Sequence, residues 1–501
     1  MTQQPTLEKS WKDTVIRQEE IDRYLIDGRD FVDDARIESL LAGTEEPGAG
    51  RVREIIRKAE RIATVLPEET AALLKVRDPA AWEEIFDAAA RIKTAVYDNR
   101  VVTFAPLYCS NRCVNRCAYC GFRAENTAVQ RRVLSFEEIE REARVLAGAL
   151  GHKRIVAVYG EHPSTGAEYI AESIRRIYGV KVDVRKGRGE IRRVNVNAAP
   201  MSIEDLRKIQ EAGIGTYQVF QETYHHGTYA AVHPAGTLKG DYRWRLYALH
   251  RAMDAGIDDV AIGALFGLYD WKFEVMGMLF HARDLEQRFG IGPHTLSVPR
   301  IEPAVNTSFE WLSHRVSDDE FKRLIAVLRL SIPYAGLIVT CREKPELLRD
   351  VMPMCTQRDA SSRIGIGAYS DEGGGQQESK QQFMLGDTRS LDEVIRELAS
   401  AGCITSFCTA GYRCGRTGKN IMTLLRTGRE GCFCKLNAVL TFQEWLEDFG
   451  SADTRRIGEK IIEKEMAEIR ARTPRDFTPG LVRTLEEYRS RIKAGERDLC
   501  F

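Results

Sequence analysis

The chain has 501 residues, 43% of them hydrophobic, with 73 Lys and Arg against 73 Asp and Glu. This length exceeds that of a usual single domain, and a formal net charge of zero provides no general attraction to nucleic acid or to an acidic membrane surface. No apolar run is long enough to span a bilayer, and the first residues, Met1-Thr-Gln-Gln-Pro, are polar. We therefore expect a soluble, cytoplasmic protein that binds neither nucleic acid nor membrane.

Residues 1–98 are predicted to form a helical extension. From about position 18 onward apolar side chains recur every three or four residues, as in Val52-Arg-Glu-Ile-Ile and Trp82-Glu-Glu-Ile-Phe. Pro67 and Pro79 stand where two of these helices would begin, a position that proline favours. The segment carries no candidate chemistry of its own.

From Val101 onward the pattern changes to short apolar strands separated by helical segments. The eight candidate strands are 101–108, 154–160, 193–199, 216–222, 259–266, 295–301, 335–340 and 363–368. Eight such alternations predict an α/β fold with a (βα)8 TIM-type barrel over residues 99–370. The active site of such a barrel lies at the C-terminal ends of its strands.

Residues 371–501 are predicted to form a mostly helical auxiliary region. Its first part, from Asp371 to Lys380, is polar and rich in glycine, which is typical of a loop. The segment after this loop holds a second cysteine group, made up of Cys403, Cys408, Cys414, Cys432 and Cys434. We therefore expect this region to contribute metal ligands.

The clearest chemical signal is the loop after the first predicted strand, where four thiols from Cys109 to Cys120 fall within twelve residues. Cys113, Cys117 and Cys120 follow the spacing C-x3-C-x2-C. This spacing can bind three irons of a 4Fe-4S cube and leave the fourth iron without a protein ligand. Twelve clustered cysteines favour metal chemistry in a reducing compartment over disulfides. The alternative is a four-cysteine zinc site, which usually needs two separated C-x2-C pairs.

This loop resembles that of the radical S-adenosylmethionine (SAM) superfamily, both in its spacing and in the aromatic Tyr119 before the last cysteine. The resemblance implies a 4Fe-4S cluster and SAM as cofactors. In that superfamily the amine and carboxylate of SAM chelate the open iron, and one electron splits the sulfonium to give a 5′-deoxyadenosyl radical. The cofactors supply the difficult step and the protein positions them.

Several polar residues at predicted strand ends are candidates for cofactor binding. They are Tyr119, Gly160, Glu161, Asn195, Asn197 and Glu222. Glu161 follows a Tyr-Gly-Glu segment that is similar to the Gly-Gly-Glu of the superfamily, with one glycine missing; its alternative is a solvated loop glutamate. Asn195 and Asn197 alternate with valines and so share one face, where they would bind a ribose or form a satisfied polar layer.

A second group of candidates could bind or act on the substrate. Arg300, Ser361, Ser362 and Arg363 lie near strand ends, where an arginine can bind a carboxylate through two hydrogen bonds, although ion pairing at the surface is an equal alternative. His225, His226 and His233 follow the fourth predicted strand and are candidates for metal binding, proton transfer or packing. The residues alone favour a core or interface position for His281.

Several segments together are similar to the HydG family of tyrosine lyases that mature FeFe-hydrogenase, over nearly the whole chain. They include Cys113-Val-Asn-Arg-Cys-Ala-Tyr-Cys-Gly-Phe, Ile191-Arg-Arg-Val-Asn-Val-Asn, Gly292-Pro-His-Thr-Leu-Ser-Val-Pro-Arg and Ser406-Phe-Cys-Thr-Ala. The resemblance implies cleavage of the Cα–Cβ bond of L-tyrosine, or of a related aromatic amino acid, to p-cresol and dehydroglycine. It also implies a second cluster that makes carbon monoxide and cyanide, an electron donor such as ferredoxin or flavodoxin, and maturation partners.

By the same resemblance, Cys113, Cys117 and Cys120 bind the first cluster, Glu161 helps to bind SAM, and His281 is the positional match for a histidine that binds an extra iron. The tail departs from the family, which has C-x2-C there, because Gly411 follows Cys408-Thr-Ala. Cys414, Cys432 or Cys434 could replace the missing thiolate, or the second cluster is altered or absent. Cys109 also departs from the family, as either a buried apolar residue or a spare thiol.

Our first hypothesis is therefore a HydG-like radical SAM carbon–carbon lyase. The alternatives are a lyase similar to 2-iminoacetate synthase that lacks a working second cluster, a radical enzyme with another substrate, and a non-catalytic iron–sulfur scaffold.

Overall fold

A computed structural model describes residues 11–371, 381–413, 418 and 430–501. The part before the barrel is helical, as its periodicity predicts. After a short helical piece at 11–15, its helices are α1 (Glu19–Asp22), α2 (Asp34–Gly43), α3 (Ala49–Ala59), α4 (Pro67–Lys75) and α5 (Pro79–Tyr97). Asp33 accepts a hydrogen bond from the backbone of the first turn of α2, and prolines occupy the first positions of α4 and α5, so each helix begins where its sequence favours it.

Eight parallel strands form a closed barrel. They are β1 (Arg100–Ser110), β2 (Arg154–Tyr159), β5 (Arg193–Asn197), β6 (Tyr217–Gln218), β7 (Val260–Gly263), β8 (Thr295–Ser297), β9 (Gly336–Val339) and β10 (Gln357–Asp359), and a separate hairpin contains β3 (Lys181–Asp183) and β4 (Arg188–Glu190). The barrel closes where Val102, Thr103 and Phe104 of β1 pair with β10. The structure therefore confirms the predicted (βα)8 architecture.

Helices cover the outside of the barrel. They are α6 (Phe136–Arg144), α7 (Ala167–Gly179), α8 (Ile203–Glu211), α9 (His226–Val232), α10 (Tyr242–Leu246), α11 (Ala248–Asp254), α12 (Trp271–Phe289), α13 (Asp318–Ser331) and α14 (Pro345–Val351). None of the helices in the described part of the chain is long and apolar enough to cross a membrane.

The eighth strand differs from the sequence prediction. Residues 363–368 form no strand, and β10 at Gln357–Asp359 closes the barrel instead. The reason is that β10 is short and polar in sequence, so it lacks the apolar run by which the other strands were found. Its side chains are nevertheless buried, because they face the inside of the barrel or its helical cover.

The tail joins the barrel at the start of β1, where β11 (Ile404–Ser406) pairs with Arg100–Val102. The described tail helices are α15 (Leu391–Ser400), α16 (Ala410–Arg413), α17 (Glu430–Asp448), α18 (Ala452–Ala471) and α19 (Pro479–Lys493). Glu444 of α17 binds Lys153 at 2.6 Å and Arg192 at 2.6 Å, and all three side chains are at most 3% exposed. Burial alone would raise the pKa of Glu444, but Lys153 and Arg192 outweigh it and lower this pKa.

Removal of the Glu444 carboxylate is expected to loosen the tail from the barrel. In Glu444→Ala two buried cations lose their shared partner, and we expect the free energy of unfolding to fall by about 3–5 kcal/mol. The measurement is the midpoint of urea unfolding. Glu486→Ala is the matched control, because Glu486 pairs with Arg470 at 2.7 Å on the exposed surface of two tail helices and such pairs contribute at most about 1 kcal/mol. Equal midpoints for the two variants would contradict the conclusion that Glu444 attaches the tail to the barrel.

Candidate active site

The three thiols of the C-x3-C-x2-C motif line one cavity at the C-terminal ends of the barrel strands. Cys117 is buried, Cys113 and Cys120 are half-buried, and the cavity has a volume of about 240 Å³. Cys109, the fourth thiol of the segment, is fully buried, and its Sγ lies 3.8 Å from the carbonyl oxygen of Leu107. Cys109 is absent from the cavity lining, so it behaves as a small apolar residue.

The loop that carries these thiols, residues 111–131 and called here the cluster loop, presses against the end of β2. The amide of Val114 donates to the carbonyl of Glu161 at 2.8 Å. A Cβ atom at Gly160 would lie only 2.1 Å from the carbonyl oxygen of Arg112. Only glycine therefore fits at position 160, which explains the Gly of the Tyr-Gly-Glu segment.

The donor set fits an iron–sulfur cube better than a single metal ion. A cube binds each thiolate at a different iron, so the thiolates need not converge on one point. Among the described residues, no three His, Cys, Asp or Glu side chains are arranged to bind one ion. Burial raises the pKa of Cys117 to about 12, so loading a cluster would release a proton there.

Beside the thiols lies a group of five polar and charged side chains, called here the rim network: Asn115, Glu161, Glu222, Lys239 and Arg245. Asn115 donates a hydrogen bond to Glu161, and Glu222 binds Lys239 at 2.6 Å and Arg245 at 3.3 Å. Burial raises the pKa of Glu161. Burial would also raise that of Glu222, but Lys239 and Arg245 reverse the shift and lower it. All five residues line the cavity.

The rim network has donors and acceptors for an amino acid group such as that of SAM. Glu161 and Glu222 offer carboxylates for an ammonium, and Lys239 and Arg245 offer cations for a carboxylate. Sequence reasoning named the two glutamates but missed Asn115, Lys239 and Arg245.

The two asparagines of β5 have different surroundings. Asn197 lines the cavity. Asn195 lies two residues earlier in β5, towards the start of the strand. Its Oδ1 accepts hydrogen bonds from Arg193 Nε at 3.1 Å and from the Thr216 amide at 2.9 Å. The structure therefore favours the polar-layer alternative for Asn195, and of the two residues only Asn197 lines the cavity.

The four residues considered for substrate binding do not line the cavity, and each has a protein partner. Arg300 pairs with Glu343 and with Asp318. Ser362 donates to Asp359 at 2.6 Å, and Ser361 accepts from the Leu391 amide at 2.7 Å. Arg363 donates to the carbonyl of Ala368 at 3.0 Å. The structure therefore favours ion pairing for Arg300 and local structural roles for Ser361, Ser362 and Arg363.

Arg342, which was not among the predicted site residues, does face the cavity. Arg342 follows β9, is half-buried, and has its guanidinium 3.3 Å from the centre of the Phe383 ring. No carboxylate of the described residues lies within ion-pair distance of it. Glu302 lines the same wall, and burial raises its pKa. Arg342 follows the predicted strand 335–340 by two residues, so the strand-end rule could have found it.

The three histidines after β6 have separate roles. His225 bonds to Thr228 within its own turn, and His226 bonds to Asp34 of α2 at 2.8 Å. His233 is 1% exposed and bonds to the Tyr119 hydroxyl beside the cluster cysteines. Packing and capping therefore describe His225 and His226 better than metal binding does.

The described tail cysteines lie near the opposite, N-terminal end of the barrel. Cys408 lies two residues after the end of β11, and its Sγ is 3.5 Å from Arg193 at the start of β5. Burial alone would lower the pKa of Arg100, but Cys434 and Cys408 stand beside it and raise this pKa. Cys432 lies 3.9 Å from Arg472 instead. Cys414 lies outside the described residues.

None of the contacts that the structure gives for His281 is with a tail cysteine. Its Nδ1 bonds to the Tyr224 hydroxyl at 2.9 Å, and its ring packs on Phe31 and His250, so the structure favours a packing role. His294 at the start of β8 is better placed. It binds Asp259 at 2.7 Å, and Asp259 pairs with Arg193, whose guanidinium contacts Cys408.

Comparison with known proteins agrees with this geometry. Residues 107–276 match the Radical SAM superfamily, and residues 297–404 match the Biotin and Thiamin Synthesis associated domain. The 2-iminoacetate synthase of Salmonella typhimurium is 28% identical over 356 residues, which cover 70% of this chain and 89% of the relative. Three thiols on a matching barrel, beside a network suited to SAM, define a radical SAM enzyme.

Two crystal structures narrow the assignment. HydG, a maturase of the FeFe-hydrogenase, superimposes with a TM-score of 0.88 and 43% identity, covering 94% of this chain and 100% of that one. HydG from Carboxydothermus hydrogenoformans gives a TM-score of 0.75 and 33% identity, covering 94% and 99%. The chain belongs to the HydG family.

The close contact between Gly160 and the Arg112 carbonyl leads to a prediction that can be tested without substrate. In Gly160→Ala the new Cβ would collide with the Arg112 carbonyl, so the cluster loop must shift. We expect iron per chain after reconstitution to fall at least about twofold, because a backbone shift misplaces the thiols. Gly166→Ala is the matched control, since its Cβ would meet no atom closer than 3.8 Å. Equal iron contents in the two variants would contradict the role of this contact.

Proposed function

We propose that this enzyme cleaves the Cα–Cβ bond of L-tyrosine and releases p-cresol and dehydroglycine. The observation that carries the proposal is Arg342, an arginine that faces the cavity without a carboxylate partner among the described residues, above an apolar interior. The HydG relatives at 43% and 33% identity support the proposal.

The cofactors fit the residues present. Cys113, Cys117 and Cys120 would bind a 4Fe-4S cluster, and the rim network, with Tyr119, Gly160 and Asn197 on the same cavity wall, would bind SAM. When bound, these groups supply a 5′-deoxyadenosyl radical that abstracts a hydrogen atom. An electron donor such as ferredoxin or flavodoxin would provide the reducing electrons. The protein's contribution is to hold the amino acid in one orientation and to exclude water.

Arg342 provides the orientation at the polar end of the substrate. Burial lowers the pKa of its guanidinium, which means that the cation is poorly solvated. A substrate carboxylate would supply the missing negative charge through two parallel hydrogen bonds. Glu302 on the same wall is placed to accept a hydrogen bond from the substrate amine.

The interior of the barrel suits an aromatic ring. Phe104, Val156 and Ile338 form a small apolar cluster of their own and line the cavity. Gln218 lines it too, and its Nε2 atom has no hydrogen-bond partner among the described residues. A phenol hydroxyl could accept this hydrogen bond, since buried polar groups are rarely left unpaired. This arrangement favours tyrosine over phenylalanine.

The test is product formation by the reconstituted enzyme with dithionite, SAM and L-tyrosine. We expect 5′-deoxyadenosine and p-cresol. In Arg342→Gln the substrate loses its carboxylate partner, and we expect KM for tyrosine to rise about tenfold or more, as for loss of a charged hydrogen bond of about 1.5–3 kcal/mol. Arg300→Gln is the control, because Arg300 already pairs with Glu343 and Asp318, and its KM should stay within about twofold.

Three results would overturn parts of this proposal. Deoxyadenosine without p-cresol would indicate a different substrate for the same chemistry. No deoxyadenosine with any aromatic amino acid would favour a scaffold, although membership in an enzyme family disfavours that alternative. An unchanged KM in Arg342→Gln would remove Arg342 from the substrate site.

We further propose that the N-terminal end of the barrel holds a second iron–sulfur cluster that makes carbon monoxide and cyanide for FeFe-hydrogenase assembly. Cys408 and Cys434 would be two of its ligands, and His294 is a better candidate than His281 for an associated iron. Burial and the neighbouring Arg193 lower the pKa of Arg154 to about 9, and no described carboxylate pairs with Arg154. An anionic thiolate cluster would stabilise these buried cations.

The second candidate function is a lyase similar to 2-iminoacetate synthase that lacks this cluster. Gly411 favours it, because the family's second tail thiolate is missing from that position. The two candidates share the first reaction and differ only at the N-terminal end of the barrel.

Iron counting separates the two candidates. A Cys113→Ala, Cys117→Ala, Cys120→Ala triple variant should keep the iron of one cluster and its electron paramagnetic resonance signal. Adding Cys408→Ala and Cys434→Ala should remove both, since these thiols are the proposed ligands. A triple variant without iron would mean that the tail binds no cluster, and the production of carbon monoxide and cyanide would then be excluded from the proposal.

A further inference from the structure

The segment that follows β6 is attached to the cluster loop at three points. The amide of Ala118 donates to the carbonyl of Val232 at 3.0 Å, and the amide of Lys239 donates to Asn115 Oδ1 at 2.9 Å. Between these two contacts His233 bonds to Tyr119 at 2.8 Å. Tyr119 lies between two cluster cysteines in sequence and lines the cavity.

The direction of the hydrogen bonds at His233 follows from its two partners. Its Nδ1 lies 3.0 Å from the carbonyl oxygen of Tyr229, which can only accept, so Nδ1 carries the hydrogen. A neutral imidazole then has Nε2 as its acceptor, and the Tyr119 hydroxyl must donate to it. His233 Nε2 is therefore the acceptor for the Tyr119 hydroxyl, and the hydrogen bond at Nδ1 fixes the orientation of the ring.

We propose that His233 is a positioning residue for SAM binding, which acts by fixing the rotation of the Tyr119 ring on the cavity wall. Tyr119 is 9% exposed and its ring packs on Cys117, Val232 and Leu265. If the acceptor is lost, the hydroxyl must stay buried without a partner or turn into the cavity to reach water. The second movement would fill space that SAM needs.

Two features argue that this contact does more than pack the segment. His233 is 1% exposed, and both of its ring nitrogens have partners, one in its own helix turn and one in the cluster loop. Lys239, which belongs to the rim network, has its Nζ 5.5 Å from the centre of the Tyr119 ring. A change in the Tyr119 ring would therefore reach the residues proposed to bind SAM.

The test measures SAM binding to the reconstituted, oxidised enzyme, in which no turnover occurs. His233→Leu should keep its iron and raise the Kd for SAM about tenfold, as expected for a buried hydroxyl left unpaired. His233→Gln should restore the Kd to within about threefold, because the glutamine side chain can present an acceptor oxygen to the hydroxyl. The reduced cluster of His233→Leu should also show an altered electron paramagnetic resonance spectrum on adding SAM.

Further variants make the result decisive. Tyr119→Phe removes only the donor oxygen, and the double variant with His233→Leu should be no weaker than either single variant, because both remove one interaction. His225→Gln is the matched control on the same segment and should leave the Kd unchanged. Strictly additive effects in the double variant would overturn the proposal, because without the hydroxyl the loss of His233 should no longer matter to the cavity. A tenfold rise of the Kd in His233→Gln would also overturn it, even if His233→Leu fails to bind iron.

Discussion

The candidate site depends on one constraint, the close backbone contact between the cluster loop and the segments that follow β2 and β6. Gly160 meets the Arg112 carbonyl with no room for a Cβ, and amides of Val114 and Ala118 bond to Glu161 and Val232. Backbone contacts of this kind leave little freedom to the loop. The loop with the three thiols is held by the end of β2 and by α9, so the barrel and its helices set the distance between the cluster and the cavity.

The two ends of the barrel differ in how their buried charges are paired. At the C-terminal end, Lys239 and Arg245 lie against Glu222, so the charges of the rim network are largely matched before any ligand binds. At the N-terminal end, Arg154 is buried without a carboxylate partner among the described residues, and Arg193 shares Asp259 with His294. Buried cations that lack partners are costly, and an anionic group would remove that cost.

The barrel and the first cluster were predictable because their signals are local. Cysteine spacing lies within one loop, and strand patterns lie within single elements. The polar β10 escaped detection because only its pairing with β1 and β9 makes it a strand. Arg300 and Arg342 both follow barrel strands, and which one faces the cavity depends on the path of each loop. The sequence alone does not show the path of these loops. It also does not show that Arg300 already forms an ion pair with Glu343.

The proposed second cluster shows the same distinction between ligands that are close in sequence and ligands that only the fold brings together. Cys408 and Cys434 are 26 positions apart in sequence, yet both stand beside Arg100 at the start of β1. His294 is connected to Cys408 through Asp259 and Arg193. His281 was the better candidate for the extra iron only by its position in the sequence. Gly411 removes one thiolate but changes none of the buried arginines around the site. The demand for negative charge at this end of the barrel therefore persists whichever side chain supplies the third ligand, and this demand is the physical reason to expect an anionic group there.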